Sequence, residues 1–527
     1  MDAPKSDTRM DRVLSFATLT AAGFVLGKLS GILREIVVSA HFGLSAELDA
    51  YFVAFTVPTI INNVVAGGTI TAAMMPTLVR YLANDERAEF WRVASLVTNI
   101  VLLVTGIITC SVMFLPAPVI ELVGTGFAEP TKKLAAELLV IMMPTLMLGA
   151  LLNMLMAMLN SLDRFVAPAL IFLALNAGII VTVILLSPML GVAAVAWGFL
   201  IGVTLQVVVQ FIELRLEHPR FYWRIDWRHP ALRQVWRAFV PITALSLVAQ
   251  INYVIDKVMA TTLPAGSVGA LYYADSVLGL FSMIGISLGI GVFPSLSRLV
   301  AENDLASAGR AVTQSLRLLI FVLTPMTILL IPFALPLVGL ILGRGKFDAS
   351  AVDLTAQAMV MYALGLIAIA AINILQRAFF ALADSVTPLV IGLATMILHV
   401  VLNLVLIPWL SHAGIALSAS ISASLGALVL IGMFARRVSH LKPRALLIFL
   451  GQCGGLAVFS TAVVAWFWAN LSIDVATMWG RMMGVGLAAS SVMVYFVLAL
   501  EWRLPESRWL VNWAVGLLRQ RRVNHVQ

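Results

Sequence analysis

Residues 166–187 read VAPALIFLALNAGIIVTVILLS and decide the fold class, because this stretch contains no charged side chain. A helix needs about 20 consecutive apolar residues to cross the hydrocarbon core of a bilayer, so the stretch is predicted to be a transmembrane helix. Comparable stretches recur along the 527-residue chain, which is 61% hydrophobic and 11% charged. Soluble proteins carry about 25% charged residues, and a water-soluble globular fold is therefore excluded.

The same criterion, applied outward from this stretch, predicts an all-α polytopic membrane protein with about fourteen transmembrane helices. The predicted helices cover residues 14–39, 50–78, 93–115, 135–160, 166–187, 191–212, 236–262, 268–297, 314–342, 352–380, 387–409, 414–435, 445–470 and 478–500. Only the short turn at residues 411–414 separates the eleventh helix from the twelfth, so thirteen helices is the alternative.

An internal repeat with a period near 220 residues organises these helices. Its predicted equivalences are Pro76 with Pro294, Arg80 with Arg298, Asn153 with Asn373, Asp163 with Asp384, and Pro168 with Pro388. The repeat predicts two six-helix lobes followed by two extra helices, an arrangement typical of secondary transporters that hold substrate between two halves. The predicted domains are a cytoplasmic N-terminus (1–13), an N-lobe (14–212), a basic amphipathic cytoplasmic linker (213–235), a C-lobe (236–435), helices 13 and 14 (445–500) and a basic cytoplasmic tail (501–527).

The placement of basic residues predicts the topology, because Lys and Arg concentrate in cytoplasmic loops. If both termini are cytoplasmic, 26 of the 34 Lys and Arg residues lie on the inner side, 5 lie outside, and 3 lie within spans. Aromatic and basic residues in the linker and the tail suggest either nucleic-acid binding or interfacial helices. We predict interfacial helices, since Trp and Arg suit the headgroup region beside a membrane span.

Charged residues inside predicted spans mark a candidate binding site, because each costs about 2.5 to 3.5 kcal/mol at mid-bilayer on insertion scales. Lys28 and the pair Arg34-Glu35 lie in the first helix, and Asp256-Lys257 lies at a similar place in the seventh. Adjacent helical residues point about 100° apart, so the two pairs are not expected to neutralise themselves. They are predicted to line a central cavity, with pairing to other helices for assembly as the alternative.

Two further polar groups lie in or at the ends of spans. Asp49 and Asp275 stand near the starts of the second and eighth helices, where a carboxylate either caps the helix or contacts substrate. His399 and Asn403 are four residues apart on one helical face. They form either an ion site or a buried polar pair that joins helices.

Enzymatic motifs are scarce in the sequence. No two histidines have the spacing of a zinc protease, and Gly345-Lys346 is followed by Phe347 rather than the Ser or Thr of a phosphate-binding P-loop. The loops between spans are too short for a soluble catalytic domain. We therefore predict that the protein is not an enzyme and that it needs no metal or cofactor.

Several blocks of the sequence resemble the MurJ/MviN-type lipid II flippases of the multidrug/oligosaccharidyl-lipid/polysaccharide exporter superfamily. These blocks are GKLSGILRE at 27–35, DAYFVAF at 49–55, LYYAD at 271–275 and HAGIALS at 412–418. The resemblance implies two lobes around a cationic cavity, and the export of the undecaprenyl-pyrophosphate-linked peptidoglycan precursor. The chain departs from the family pattern at Asn62, Gly67 and Ser276, where the family usually has Arg, Glu and Arg.

The predicted function is a flippase of the bacterial inner membrane that moves lipid II to the outer leaflet by alternating access. Its predicted substrate-binding residues are Lys28, Arg34, Glu35, Asp49, Asp256, Lys257 and Asp275. The alternative is a flippase for another polyprenyl-linked oligosaccharide in exopolysaccharide export, and a membrane-embedded glycosyltransferase is less favoured. The predicted partners are the lipid-linked saccharide and membrane lipids, without nucleic acid.

Overall fold

A computed structural model of the chain describes residues 7–65, 69–223, 225–438, 440–471 and 477–512. Within these ranges residues 505–512 form a helical stretch, and the structure further contains eighteen complete α-helices. They are α1 (Asp7–Phe42), α2 (Ala46–Val65), α3 (Thr69–Ala83), α4 (Arg87–Phe114), α5 (Pro116–Val123), α6 (Glu129–Met142), α7 (Pro144–Ser161), α8 (Val166–Leu190), α9 (Ala193–Arg215), α10 (Pro230–Thr261), α11 (Ser267–Ala301), α12 (Leu305–Ile341), α13 (Ala349–Ala363), α14 (Leu366–Ala381), α15 (Val386–Leu410), α16 (His412–Arg437), α17 (Pro443–Asn470) and α18 (Met478–Glu501).

Each of the fourteen predicted spans coincides with one of these helices or with a consecutive pair. Three spans are pairs, namely α2 with α3, α6 with α7, and α13 with α14, and the short helix α5 is additional. The α6 helix stops before Pro144 because proline lacks the N–H that would continue the helix. Between α13 and α14 the chain bends by 46°.

Eleven helices in the described part of the chain are long and apolar enough to cross a membrane, or twelve if the bent pair α13–α14 is one span. The other two predicted spans fall on α1 and α10, which contain 36 and 32 residues. At 1.5 Å per residue both exceed the hydrocarbon thickness of about 30 Å. The protein is therefore a multi-pass helical membrane protein, and about fourteen spans fit the fold.

The contacts divide the chain into two units. The first unit contains residues Met1–Gly269 and Arg344–Phe347. Its core lies among α3, α4 and α7, where Met74, Phe90 and Met158 are completely buried. In this unit α1 packs along α8, and α10 packs against α2 and α3.

The second unit contains residues Ala270–Gly343 and Asp348–Gln527. Here α17 and α18, the predicted helices 13 and 14, both pack on α12. The buried Tyr495 hydroxyl donates to the carbonyl of Phe321 at 3.1 Å. Arg481 Nη1 donates to the carbonyls of Gly339 at 3.0 Å and Gly343 at 2.7 Å, which satisfies the C-terminal end of α12.

The predicted repeat is confirmed by matching turns. Left-handed residues occur at Asp163 and Ala383, and again at Gly191 and Ser411, with an offset of 220 residues in both cases. One predicted equivalence is wrong by a position, because the turn geometry aligns Asp163 with Ala383 and therefore places Asp384 opposite Arg164. The left-handed turn at Ser411 also ends α15, so the thirteen-helix alternative is wrong.

The linker between α9 and α10 is held against α4. The Asn99 side chain donates to the carbonyl of Tyr222 at 2.7 Å, and His229 Nε2 lies 2.8 Å from a Glu89 carboxylate oxygen. The interfacial helix predicted for this linker is not observed among its described residues, which are non-helical from 216 to 229. Pro219 and the left-handed backbone at His218 explain this result. In the tail, residues 505–512 are helical as predicted. The predicted cytoplasmic residues 1–6 and most of the tail, 513–527, lie outside the described residues.

Candidate functional site

Arg34 and Glu35 form an ion pair within α1. The expectation that adjacent charges on one helix do not pair is wrong here, because the long guanidinium side chain bridges the angle between the two Cα–Cβ bonds. Glu35 is buried and Arg34 is partly exposed. Both residues also take part in further interactions. The pair therefore offers a guanidinium whose charge is partly balanced by its own neighbour.

Lys257 of α10 is the most enclosed of the predicted intramembrane cations, at 6% exposure. Its ammonium lies 5.4 Å from the Tyr253 ring centroid and 6.0 Å from that of Phe52 in α2. Faces of aromatic rings attract cations by about 0.5 to 2 kcal/mol. Lys257 also interacts electrostatically with Asp49. Asp256, its neighbour in the sequence, is half-buried.

Asp49 accepts hydrogen bonds from the backbone N–H groups of Gly266 at 2.6 Å and Gly269 at 2.7 Å. Gly266 immediately precedes α11 and Gly269 lies in its first turn, so Asp49 caps a helix other than its own. Asp49 is therefore a helix-capping residue, as one of the two predictions has it, but the residue that donates to it, Gly266, is 217 positions away in the sequence. The capping prediction is wrong for Asp275, which is the ninth residue of α11 and exposed.

The remaining residues singled out in the sequence are Lys28 and the three departures from the family pattern. Lys28 is exposed on α1, two turns before Arg34. Asn62 lies so close to Gly149 of α7 that a Cβ on Gly149 would stand 3.0 Å from its amide nitrogen. Ser276 is half-buried, and Gly67 lies outside the described residues.

One polar contact in the first unit was missed from the sequence. Asn63 Nδ2 of α2 lies 3.4 Å from Gln250 Oε1 of α10. Asn63 is exposed and Gln250 half-buried, although both fall inside predicted spans. Polar side chains within the spans 50–78 and 236–262 were the available signal. Neutral amides cost less in a membrane than charges, so they are a weaker indication of a binding site.

At one end of the first unit, loops that follow odd-numbered predicted helices meet. The backbone N–H of Lys346 donates to the carbonyl of Ala40 at 2.8 Å. Gly43 and Gly345 have left-handed backbones. A Cβ on Gly43 would collide with the carbonyl of Lys346, and a Cβ on Gly345 would collide with the carbonyl of Ala40. A cavity of about 550 Å³ lies beside it, lined by residues that include His41, Ser45, Glu47, Ser187, Gly191 and Lys346.

Loops that follow even-numbered predicted helices also meet each other. Glu217 bridges Arg87 at 2.6 Å and Arg164 at 2.7 Å. Arg80 Nη2 donates to Gln234 at 2.9 Å. Within the first unit, loops after odd-numbered helices contact one another, and loops after even-numbered helices contact one another. This is expected if successive spans cross the membrane in alternate directions.

In the second unit, the Asn403 amide lies 3.3 Å from His399 Nε2, and both side chains are buried. The two side chains therefore satisfy part of each other's hydrogen-bonding capacity within one helix. This geometry favours a polar pair within α15 over an ion site. In the described part of the chain no group of three or more His, Cys, Asp or Glu residues is arranged to hold a metal ion.

Comparisons of the sequence with known proteins identify one family. Residues 38–488 match the family described as Lipid II flippase MurJ. The lipid II flippase MurJ of Burkholderia cenocepacia is 29% identical over 474 residues, which cover 85% of this chain and 89% of that protein. The probable lipid II flippase MurJ of Vibrio cholerae is 26% identical over 493 residues, with coverage of 90% and 89%.

Solved structures share the fold. A structure of a lipid II flippase MurJ in an inward closed conformation superposes with a TM-score of 0.76 at 22% identity, covering 92% of this chain and 99% of that one. An inward-facing multidrug transporter of the MATE family gives a TM-score of 0.66 at 14% identity, with coverage of 79% and 95%. Because the family match extends over most of the sequence, the chain belongs to the lipid II flippase MurJ family.

Proposed function

We propose that this protein translocates lipid II from the cytoplasmic to the outer leaflet of the bacterial inner membrane by alternating access. The family match over residues 38–488 carries this proposal. The buried cation Lys257 and the ion-paired Arg34 support it, because a pyrophosphate within a membrane span needs positive partners.

In this proposal Lys28, Arg34 and Lys257 neutralise the pyrophosphate, and Glu35, Asp49 and Asp256 orient them. Two backbone N–H groups hold the Asp49 carboxylate in place, and its electrostatic attraction to Lys257 helps to orient the ammonium. Arg34 contributes a guanidinium that holds phosphate oxygens in pairs, whereas Lys257 acts as a point charge. The prenyl tail stays in the lipid.

The proposed orientation has both termini in the cytoplasm. The excess of 26 inner over 5 outer basic residues supports it. The sorting of loops in the first unit also fits, because Arg87 and Arg164 fall in one set and Lys346 in the other.

A second candidate is the export of a different polyprenyl-linked oligosaccharide. The observation that favours it is the replacement of expected arginines by Asn62 and Ser276, which leaves fewer guanidinium groups for the pyrophosphate.

Depletion of the resident lipid II flippase in a bacterial cell, followed by expression of this chain, tests the proposal. We expect growth to be restored and lipid II to become accessible to an enzyme added outside. A matched Lys257→Met strain should fail at equal protein abundance. Failure of the unmodified chain to restore growth while it is present in the membrane would contradict the proposal and favour the second candidate.

A further inference from the structure

The α2–α10 contact forms a polar seam with two chemically different ends. At one end the Lys257 ammonium lies over the rings of Phe52 and Tyr253. At the other end Asn63 and Gln250 approach each other at 3.4 Å. Gln250, Tyr253 and Lys257 follow each other at spacings of three and four residues, so they share one face of α10.

The amide end requires a polar environment. Asn63 and Gln250 lie within predicted membrane spans, yet Asn63 is exposed. Amides that face hydrocarbon without partners cost several kcal/mol, so this surface faces water or a polar ligand. The separation of 3.4 Å is near the limit of a hydrogen bond, and each amide has donors and lone pairs beyond those that one such contact uses.

Neutral amides suit a saccharide better than a phosphate. A primary amide both donates and accepts, which matches sugar hydroxyls, N-acetyl groups and peptide bonds, whereas it supplies no charge for a pyrophosphate. Gln250 and Lys257 are seven residues apart in α10, or about 10 Å along the helix axis. A headgroup whose pyrophosphate contacts Lys257 would therefore bring its first sugars beside the amides.

We propose that Asn63 and Gln250 form a subsite for the saccharide of the lipid-linked substrate, two helical turns from the Lys257 cation that receives its pyrophosphate. This subsite rests on the proposed function, since it assumes that Lys257 binds the pyrophosphate. Because α10 runs outward from the linker in the proposed topology, the amides lie on the cytoplasmic side of Lys257. The saccharide then meets them as the headgroup enters from the cytoplasm.

Binding of two probes to the purified full-length protein in nanodiscs tests the subsite. The probes are lipid II and undecaprenyl pyrophosphate, which lacks the sugars. Leucine has the branched shape and the heavy-atom count of asparagine but cannot form hydrogen bonds, so we compare Asn63→Leu and Gln250→Leu with the unmodified protein. We expect each variant to bind lipid II about five- to tenfold more weakly, the effect of one lost hydrogen bond, with unchanged binding of undecaprenyl pyrophosphate.

Two controls separate this role from helix packing. Lys257→Met should weaken the binding of both probes. Asn470→Leu removes an exposed amide at the end of α17, and it should change neither. Asn63→Thr keeps one hydrogen-bonding group without adding a charge, so it provides a second readout if the leucine variants melt at lower temperature.

The outcomes are distinguishable. Equal weakening of both probes by the amide variants, or no weakening of lipid II binding, would overturn the saccharide subsite and leave the proposed function intact. Absence of binding of either probe to the unmodified protein would overturn the proposed function and the subsite with it.

Discussion

Arg164 and Asp384 occupy equivalent positions in the two repeats, 220 residues apart, and carry opposite charges. Arg164 pairs with Glu217 at 2.7 Å, and Asp384 pairs at 2.7 Å with Arg437, which is the equivalent of Glu217. The same ion pair thus joins the ends of the same two helices in both repeats with its polarity reversed. The attraction between the two positions is retained, whereas the identity of each residue is not.

The two repeats also differ in which carboxylate accepts a hydrogen bond from the N-terminal end of the following helix. Asp384 also accepts hydrogen bonds from the backbone N–H of Thr387 at 2.9 Å and from its hydroxyl at 2.7 Å, which caps α15. The equivalent N–H in the first repeat belongs to Ala167, and it donates instead to Glu213 at 2.5 Å. In the second repeat Asp384 makes both the ion pair and the hydrogen bond to the helix end, whereas in the first repeat Glu217 makes the ion pair and Glu213 makes the hydrogen bond.

Asp384→Ala should destabilise the protein more than Arg437→Met does. The alanine variant loses a helix cap, worth about 0.5 to 2 kcal/mol, together with a partly exposed ion pair, worth about 0.2 to 1 kcal/mol. The Arg437 variant keeps the cap and loses the pair, together with a 3.4 Å hydrogen bond to the Thr387 hydroxyl and a 6.0 Å approach to the Phe379 ring. Asp384→Asn keeps a capping side chain, so its free energy of unfolding should lie above that of Asp384→Ala. Denaturant titration in detergent micelles measures this order, and a loss in Asp384→Asn as large as in Asp384→Ala would contradict it.

Acid should remove the contribution of Glu217 to stability. Burial raises the pKa of Glu217, but hydrogen bonds and charges from Arg164 and Arg87 outweigh it and hold the pKa below the ordinary value of 4.5. A carboxylate whose pKa falls on folding stabilises the folded state above its unfolded pKa, and this stabilisation disappears as the pH falls through the folded value. The melting-temperature gap between the unmodified protein and Glu217→Gln should be constant at neutral pH and shrink below 4.5. A gap that widens in acid would contradict this sign.

The sequence predicts the spans and the repeat because both depend on long-range averages. An apolar run such as residues 166–187 has few structural solutions in a bilayer, and α8 forms over Val166–Leu190. The one-residue error in the repeat arose because Asp163 and Asp384 share a residue type. Backbone geometry, which places Asp163 and Ala383 in left-handed turns, fixes the true register.

The site is less accessible from sequence because it depends on contacts between distant residues. Nothing near Asp49 in the chain indicates that Gly266 and Gly269 donate to it. The Arg34–Glu35 pair was missed because an argument from Cβ directions neglects the reach of a guanidinium group. The approach of Asn63 to Gln250 needs the packing of α2 against α10, which composition does not specify.

Thiol labelling in intact cells should establish the orientation. The exposed residues Thr125 and Ala265 follow odd-numbered predicted helices, and the exposed residues Asn84 and Glu302 follow even-numbered ones. Cysteines at the first two positions should react with a membrane-impermeant reagent, and cysteines at the last two should react only after permeabilisation. The exposed native Cys110 should first be replaced by Ser. Labelling of Asn84→Cys and Glu302→Cys alone would invert the proposed topology.

The intramembrane cations should be required for transport. We expect Arg34→Ala and Lys257→Ala to abolish lipid II export at near-normal protein abundance, because a substrate pyrophosphate would lose a cation in a low-dielectric site. Arg34→Ala also deprives the buried Glu35 of an ionic partner, so the double variant Arg34→Ala/Glu35→Gln is the informative control. If Arg34 binds substrate, the double variant stays inactive. Recovery of export in the double variant would assign Arg34 a purely structural role.

The membrane potential should drive the flipping step. A pyrophosphate carries about two negative charges, and an inside-negative potential of 100 mV favours the outward movement of each by roughly 2.3 kcal/mol. The combined bias of about 4 to 5 kcal/mol exceeds a thousandfold, provided that the empty carrier does not return the same charge. Collapse of the potential with valinomycin and potassium in proteoliposomes should therefore stop export.

If export continued after collapse but stopped when only a sodium or proton gradient was removed, coupling would belong to an ion site instead. Because His399 and Asn403 already engage each other, we expect His399→Ala to lower the melting temperature without changing the response to either gradient.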